Sequence, residues 1–424
     1  MKPATSGRGP ESTDLEQFFS PCPRGLEPAL AAELNALGAQ QVRESHGGVA
    51  FCGMRPLAWQ TNLQSRIASR VLLQVAKGRY RDDDDLYRLA NRVEWEHWFG
   101  VDHTLRIDIN AIRSPLRSLN FATLRFKDGI VDRFRTRTGN RPSIDTNTPD
   151  VRVFAFLQDR EALLYLDLSG EPLFKRGWRS ERDDKGQAPI KENLAAGLLA
   201  LAGWSPQRAL YDPFCGSGTI AIEAAQQALG IAPGLAREFG FEKLFDFDAR
   251  GWRAIRTQAL DTANRLSEQA QATLHAADER SASGRLLIAA SDIDPVAIDQ
   301  TRQNARRAGI PDGIIQTSIR DAARIRSPFE KAGLIVSNPP YGERIGLEEV
   351  DGADWSTIGQ TLREHFGGWQ AWLLTSDPQL PRKLGMRERR RAPLFNGAIE
   401  CRLFGFEIFA PGEIKPRRGA QSRD

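Results

Sequence analysis

No run of about 18 apolar residues occurs in the 424-residue chain, so no segment has the length to cross a bilayer as a helix. Cysteine is scarce. Cys22, Cys52, Cys215 and Cys401 lie far apart without a Cys-x-x-Cys pair, which argues against a zinc site or a disulfide framework; reduced thiols and no bound metal are expected. Met1 to Asp14 lacks the apolar core of a signal peptide and is rich in Pro, Gly and Ser, so it reads as a disordered tail of a cytoplasmic protein. Charge of one sign is not in large excess either: 58 Lys and Arg face 54 Asp and Glu, a net +4. Most of the basic residues are arginine, which grips phosphate bidentately and stacks on bases, so the balance is compatible with nucleic acid without demanding it.

What is present is the composition of a globular protein, 41% hydrophobic and 26% charged, long enough at roughly 150 residues per domain for two or three domains, of which three are expected. Residues 15–80 mix helical and strand patterns as a small α+β domain: Pro28 to Gly38 has helical spacing with a Gly stop, Gly48 to Phe51 reads as a strand, and Asn62 to Leu73 as a second helix running into a strand through Val75. In residues 81–168 the acidic run Asp82 to Asp85 opens a helix, Leu105 to Ala111 alternates as a strand, and Val151 to Leu157 and Ala162 to Leu168 form a strand pair. The helix Asn120 to Arg135 carries Arg125, Lys127, Arg133 and Arg135, candidates for a phosphate-facing surface that a solvated face would explain equally well. A polar stretch within 169–187 reads as a linker, and Ala188 to Asn193 opens a helix to Leu201 with Pro in its first turn.

Two stretches of the remaining chain, residues 188–411, carry chemistry. Ala209 to Asp212 is a strand leading through Pro213-Phe214-Cys215-Gly216-Ser217-Gly218-Thr219 into a helix, so Gly216 and Gly218 let the backbone turn tightly beside a ligand at a helix N-terminus. The pattern is neither a Walker loop nor a full GxGxxG, and a phosphate ligand is not indicated. The strand ending Ser291-Asp292-Ile293-Asp294 places an acid where a Rossmann-like sheet holds ribose hydroxyls. Its distance from the glycine turn exceeds the usual ~20 residues, which makes 229–284 an insertion, mostly one amphipathic helix from Asp248 to Leu274.

The second stretch is Asn338-Pro339-Pro340-Tyr341 at the end of the apolar run 333–337. Two prolines stiffen the turn, and an Asn amide oxygen, a Pro carbonyl and a Tyr ring held in fixed relation suit an exocyclic amine: two acceptors for –NH2 and a platform for the base that carries it. An ordinary strand-end turn is the plainer reading. Asn396-Gly397 signals a terminal hairpin, and the tail 412–424 is basic.

Taken together, the Asp212–Thr219 turn, Asp292 and Asp294, Asp321 and Asn338 to Tyr341 resemble class I S-adenosylmethionine (SAM) methyltransferases. Pro189 to Leu198, Phe241-Glu242-Lys243 and Phe395 to Leu403 are similar to the bacterial THUMP-containing 23S rRNA guanine-N2 methyltransferases. The resemblance implies an α/β Rossmann-like class I sheet with a terminal antiparallel hairpin, preceded by α+β ferredoxin-like and THUMP domains. It puts the methionine part of SAM against Asp212, Pro213, Phe214, Cys215, Gly216, Gly218 and Thr219, ribose on Asp292 with Asp294 as competitor, and adenine near Asp321, with Ile293 and Asn338 also at the cofactor. Lys191 and Asn193 would stand beside it, unless they only cap their helix. Asn338, Pro339 and Tyr341 would hold the target guanine N2, whose poor nucleophilicity makes positioning most of the catalysis. Cys215 lies inside the cofactor turn rather than at a substrate loop, which favours a small buried residue over a nucleophile.

RNA is the implied partner, 23S rRNA before tRNA, with no obligatory protein partner. Some relatives continue into a second methyltransferase domain past the point where this chain stops, so only the guanine-N2 activity is carried over. The same Asn-Pro-Pro-Tyr would serve adenine N6 in DNA or a glutamine amide in a release factor. A non-enzymatic RNA-binding assembly factor that keeps the fold is the alternative of another class.

Overall fold

The computed structural model describes residues 15–179, 190–276, 285–340 and 354–409. The expected N-terminal and C-terminal tails, Pro189 and Tyr341 lie outside the described residues. The chain divides into two compact units, one of residues 1–176 and 232–260, the other of 177–231 and 261–424.

In chain order the first unit runs β1 (Glu16–Pro21), α1 (Glu27–Ala36), β2 (Gln40–Ser45), β3 (Gly48–Gly53), α2 (Arg55–Gln64), β4 (Leu72–Arg79), α3 (Asp83–Arg92), β5 (Thr104–Ile112), α4 (Leu119–Thr138), β6 (Ser143–Ile144), β7 (Val151–Gln158) and β8 (Glu161–Asp167). The strands form one continuous sheet in the order β2-β3-β1-β4-β8-β7-β5-β6. Strands β4 and β8, antiparallel over Leu72↔Asp167 to Arg79↔Glu161, join the α+β half to the half that follows it.

The acidic run does cap α3, with Asp82 accepting from the Asp85 N–H. The second helix differs from the expected Asn62–Leu73. It starts at Arg55 with Pro56 in its first turn and ends at Gln64, because the partly buried Glu33 carboxylate accepts from Ser65 Oγ (2.6 Å) and from the Arg66 and Ile67 N–H groups (2.7 and 3.3 Å). The Ser65 N–H keeps its helical bond to the Thr61 carbonyl (2.9 Å), and the Glu33 carboxylate takes the Arg66 and Ile67 N–H groups in place of a further turn.

Residues 232–260, read from sequence as part of an insertion in the methyltransferase domain, pack with the first unit. Phe241 stacks on Trp59 (centroids 5.8 Å apart), and Arg237 donates to the carbonyls of Pro172 (2.7 Å) and Glu171 (2.6 Å). Lys243 pairs with Asp150 (2.6 Å) and Arg55 with Asp246.

The second unit continues with α5 (Glu192–Leu201), β9 (Leu210–Asp212), α6 (Thr219–Ala228), α7 (Ala249–Ala276, begun in the first unit), β10 (Ile288–Asp292), α8 (Pro295–Arg307), β11 (Ile315–Ile319), β12 (Leu334–Ser337), α9 (Trp355–His365), β13 (Gln370–Thr375), α10 (Leu380–Lys383), β14 (Arg390–Asn396) and β15 (Ile399–Glu407). Helix α5 starts at Glu192, later than the expected opening at Ala188.

The sheet order is β11-β10-β9-β12-β13-β15-β14, with the first five strands parallel, β15 antiparallel to β13, and β14, antiparallel to β15, running in the direction of the first five again. This is the Rossmann-like class I sheet with its terminal hairpin. The sequence order reverses between β9 and β12, and ligands of such sheets bind at the carboxyl ends beside that reversal. The core under it is aromatic: Phe366 lies between Tyr211 (5.9 Å, stacked) and Trp369 (5.5 Å, edge-on). Among the described residues no helix is long and apolar enough to cross a membrane.

Candidate active site

The glycine turn follows β9 directly. Gly216 and Gly218 have φ of +52° and +86°, the left-handed region that strains residues with a side chain. A Cβ on Gly218 would lie 2.6 Å from Thr301 Cγ2, whereas one on Gly216 would meet nothing within 4 Å. The backbone is therefore packed shut on the α8 side and open at Gly216. Helix α8 braces the turn: Thr301 Oγ1 donates to the Gly216 carbonyl (2.8 Å) and Asn304 Nδ2 to the Ser217 carbonyl (3.0 Å). From the other flank Arg179 donates to Thr219 Oγ1 (2.9 Å) and Ser217 Oγ (3.3 Å) while pairing with Glu192 (3.0 Å). Burial pushes the Glu192 carboxyl up, and the Arg179 charge works against that shift.

Beside the turn, Asp292 ends β10. Its Oδ2 accepts from the Gly216 N–H (2.9 Å) and its Oδ1 from the Asp294 N–H (3.1 Å). Asp294 does something else. It caps α8, Oδ1 accepting from the Val296 N–H at 2.8 Å. Next to Asp292 stand two large apolar side chains left in the open, Ile293 at 68% exposure and, at the end of neighbouring β11, Ile319 at 56%. Asp321, two residues on, caps a 3₁₀ turn by accepting from the Ala323 N–H (2.9 Å).

Strand β12 brings Asn338 to the same edge. The preceding Ser337 is buried, and its hydroxyl donates to Asp212 Oδ1, which also accepts from the Phe214 N–H (3.2 Å), so the glycine turn and the Asn338 loop are tied at their roots. Burial pushes the Asp212 carboxyl up to about 7. Asn338 Oδ1 is buried and has no hydrogen-bond partner among the described residues. A buried amide oxygen left without a donor costs about 1–3 kcal/mol, a cost that a donor supplied by a ligand would offset. Pro339 is buried behind it and Pro340 is exposed. The buried Cys215 thiol is pushed well above its ordinary range by burial, consistent with a packed residue rather than a nucleophile. Among the described residues no three His, Cys, Asp or Glu gather as a metal cluster would.

Residues 179–404 match the family model described as RMKL-like, methyltransferase domain, more than half of the 424-residue chain. The chain belongs to the RMKL-like methyltransferase family. Residues 80–167 match the THUMP domain and residues 17–72 the RlmL ferredoxin-like domain. A Syntrophotalea carbinolica protein named Ribosomal RNA large subunit methyltransferase K/L is 41% identical over 92% of this chain and 53% of its own length. The chain spans about half the length of the curated relatives it matches. Among solved structures, the SMU.472 protein, complexed with SAH, superposes with a TM-score of 0.79 at 26% identity, covering 95% of this chain and all (100%) of that one. A Listeria monocytogenes chain described as a predicted N6-adenine-specific DNA methylase gives 0.80 at 29% identity, covering 96% and 100%.

Two further expected residues of the RMKL-like domain stand at the start of α5. Lys191 is the exposed residue before α5 and makes no side-chain cap, while Asn193 is buried in that helix's first turn; Glu192 between them reaches the glycine turn through Arg179. Sequence reasoning missed Arg179, Thr301, Asn304 and Ser337, ordinary polar residues whose part emerges only from what they touch.

In the THUMP region, Arg125 pairs with Asp84 (2.5 Å) and lies over the Tyr87 ring (4.8 Å), and Lys127 pairs with Asp128 (3.0 Å). Arg133, with its side chain 12% exposed, is held by Glu96 and Glu94. Arg135 pairs with Asp132 (3.0 Å) but remains 57% exposed. It lines an open hollow of about 610 Å³ with Val101, Gly139, Asn140 and Arg141.

Proposed function

We propose that this methyltransferase transfers the SAM methyl group to the exocyclic N2 amine of a guanine in RNA, with 23S rRNA as substrate. The observation that carries the reading is Asn338 Oδ1, a buried acceptor without a donor at the carboxyl edge, tied through Ser337 and Asp212 to the glycine turn. An amine with two N–H bonds is the chemistry such an acceptor lacks. The names of the curated relatives support ribosomal RNA as the carrier of that amine.

The residues present fit the cofactor. The opening at Gly216, where a Cβ would meet nothing, suits the methionine part; Asp292 keeps lone pairs for ribose hydroxyls beyond the two backbone bonds it accepts; Ile293 and Ile319 offer the adenine an apolar flank beside Asp321. When bound, the cofactor supplies a methyl group activated by its sulfonium. Asn338 Oδ1 and the Pro339 carbonyl accept the two N–H bonds of the guanine amine, which directs its nitrogen lone pair along the remaining direction. As positive charge develops on that nitrogen, both bonds strengthen, which lowers the barrier rather than merely binding substrate. Tyr341 provides the ring on which the base stacks. The amine proton leaves after transfer, and no covalent enzyme intermediate is needed.

Adenine N6 is the second reading, favoured by the description of the Listeria relative, because the same acceptors suit that amine. A tRNA guanine, or RNA binding without transfer as an assembly factor, complete the set. Single-turnover methylation of rRNA fragments tests the carrying observation. Asn338→Ala should lose about 2 to 4 kcal/mol in the transfer step with SAM affinity unchanged. Tyr341→Phe should be mild, and Tyr341→Ala should lose roughly 1 to 3 kcal/mol in base capture. Near-normal transfer by Asn338→Ala would leave the loop as only a turn.

A further inference from the structure

The hairpin β14–β15 is longer than its neighbours require. Strand β13 ends its pairing with β15 at Thr375↔Arg402, but β14 and β15 continue together through Leu394↔Cys401, Phe395↔Glu400 and Asn396↔Ile399. Three residues at about 3.3 Å each carry the tip roughly 10 Å beyond the carboxyl edge of the sheet. In the sheet order the proposed cofactor strands β9, β10 and β11 lie to one side of β12 and the hairpin to the other, so Asn338 stands between them. The tip presents Ile399, a large apolar side chain 52% exposed.

The outer strand is basic. Residues 387–407 contain five arginines against three glutamates. Two of those glutamates are engaged, Glu407 by Arg389 (3.1 Å) and Glu400 by Arg402 (3.3 Å). Arg387, Arg390 and Arg391 are exposed, and none pairs with a carboxylate among the described residues. Charge and proline on an edge strand also guard it against pairing with another chain, and Pro393 fits that purpose. Guarding needs charge of either sign. It does not explain why three of the four charges left without an ion pair among the described residues are guanidinium, Glu388 being the fourth, nor why an apolar residue is raised past the sheet.

We propose that β14–β15 is an RNA-engaging prong, in which Arg390 and Arg391 hold phosphates of the target strand and Ile399 packs against the base next to the one being methylated. This rests on the RNA reading above. An amine inside stacked RNA is out of reach of a recessed acceptor, so the target base must leave the stack at a cost of a few kcal/mol, and an apolar wedge covering the neighbouring base offsets part of it.

The test uses the full chain, rRNA fragments and labelled SAM. Arg390→Glu with Arg391→Glu keeps the edge charged while repelling phosphate. It should weaken RNA binding at least about tenfold near 0.1 M salt and flatten the log–log salt dependence by about 1 to 2, with SAM affinity unchanged. Wild-type affinity and salt slope in this variant would overturn the phosphate contacts. Ile399→Ala should slow single-turnover transfer more on a target held in a stem than on an unstructured oligonucleotide, and equal effects would overturn the wedge. Should the wild type bind the fragments but label none, the function reading falls, while the binding arm still judges the prong.

Discussion

At the carboxyl edge two acids two residues apart divide the work, and their hydrogen bonds say how. Asp292 and Asp294 follow the same strand, so spacing alone leaves both as ribose ligands. In the fold, Asp294 spends its carboxylate on the first turn of α8, while Asp292 reaches the glycine turn. Asp292→Ala should therefore weaken SAM binding in calorimetry, whereas Asp294→Ala should cost about 0.5–2 kcal/mol of stability as a lost cap and leave affinity near normal. The reverse pattern would exchange their roles.

Asp212 makes a separate prediction. Its carboxyl sits at about 7 against an ordinary 3.8, so the folded state holds this proton more tightly than the unfolded chain. The associated stability is present below about pH 4, falls as pH rises towards 7, and is flat above that. Asp212→Asn can still accept from Ser337 and Phe214 but cannot ionise. Denaturant unfolding should show the wild type losing stability relative to this variant across that window, and parallel curves would remove the buried ionisation. Asn338 was legible in the sequence because its motif is local. The burial of its oxygen, and the Ser337–Asp212 tie across 125 positions of sequence, were not.

Among the elements, the glycine turn is held by its neighbours as much as by its own residues. Gly218→Ala would place a side chain at φ +86° and 2.6 Å from Thr301, so about 1–3 kcal/mol of stability and a measurable share of SAM affinity should be lost together. Wild-type melting and SAM affinity would mean that α8 does not brace the turn. The glycines and the hairpin Asn396-Gly397 could be read directly, since each is a short-range conformational demand. Helix α2 could not be placed: what ends it is Glu33, some thirty residues upstream, capturing the N–H groups of Arg66 and Ile67. Strands β1 and β2 went unread. Strand β2 is almost wholly exposed, with only Val42 partly covered, so it lacks the apolar alternation that marks a half-buried strand.

Over the whole molecule, sequence order and packing order part company. Residues 232–260 leave the RMKL-like sheet and pack with the first unit through Trp59, Arg237 and Lys243, a choice made by aromatic surface and carbonyl acceptors that no local pattern announces. The charges on α4 carry the same lesson. Arg133, a candidate phosphate ligand by sequence, pairs with Glu94 and Glu96, which no local pattern announces, while the exposed Arg135 lines a hollow with Arg141. In the proposed reaction, acceptors at Asn338 and Pro339 present a guanine amine in RNA to the SAM methyl group. The most direct measurement is to incubate the full chain with labelled SAM and unmodified 23S rRNA, digest the RNA to nucleosides and identify the one that carries the label. The label is expected in N2-methylguanosine, formed far more slowly with Asn338→Ala; label in N6-methyladenosine, or none in rRNA while SAM binds, would contradict this reading.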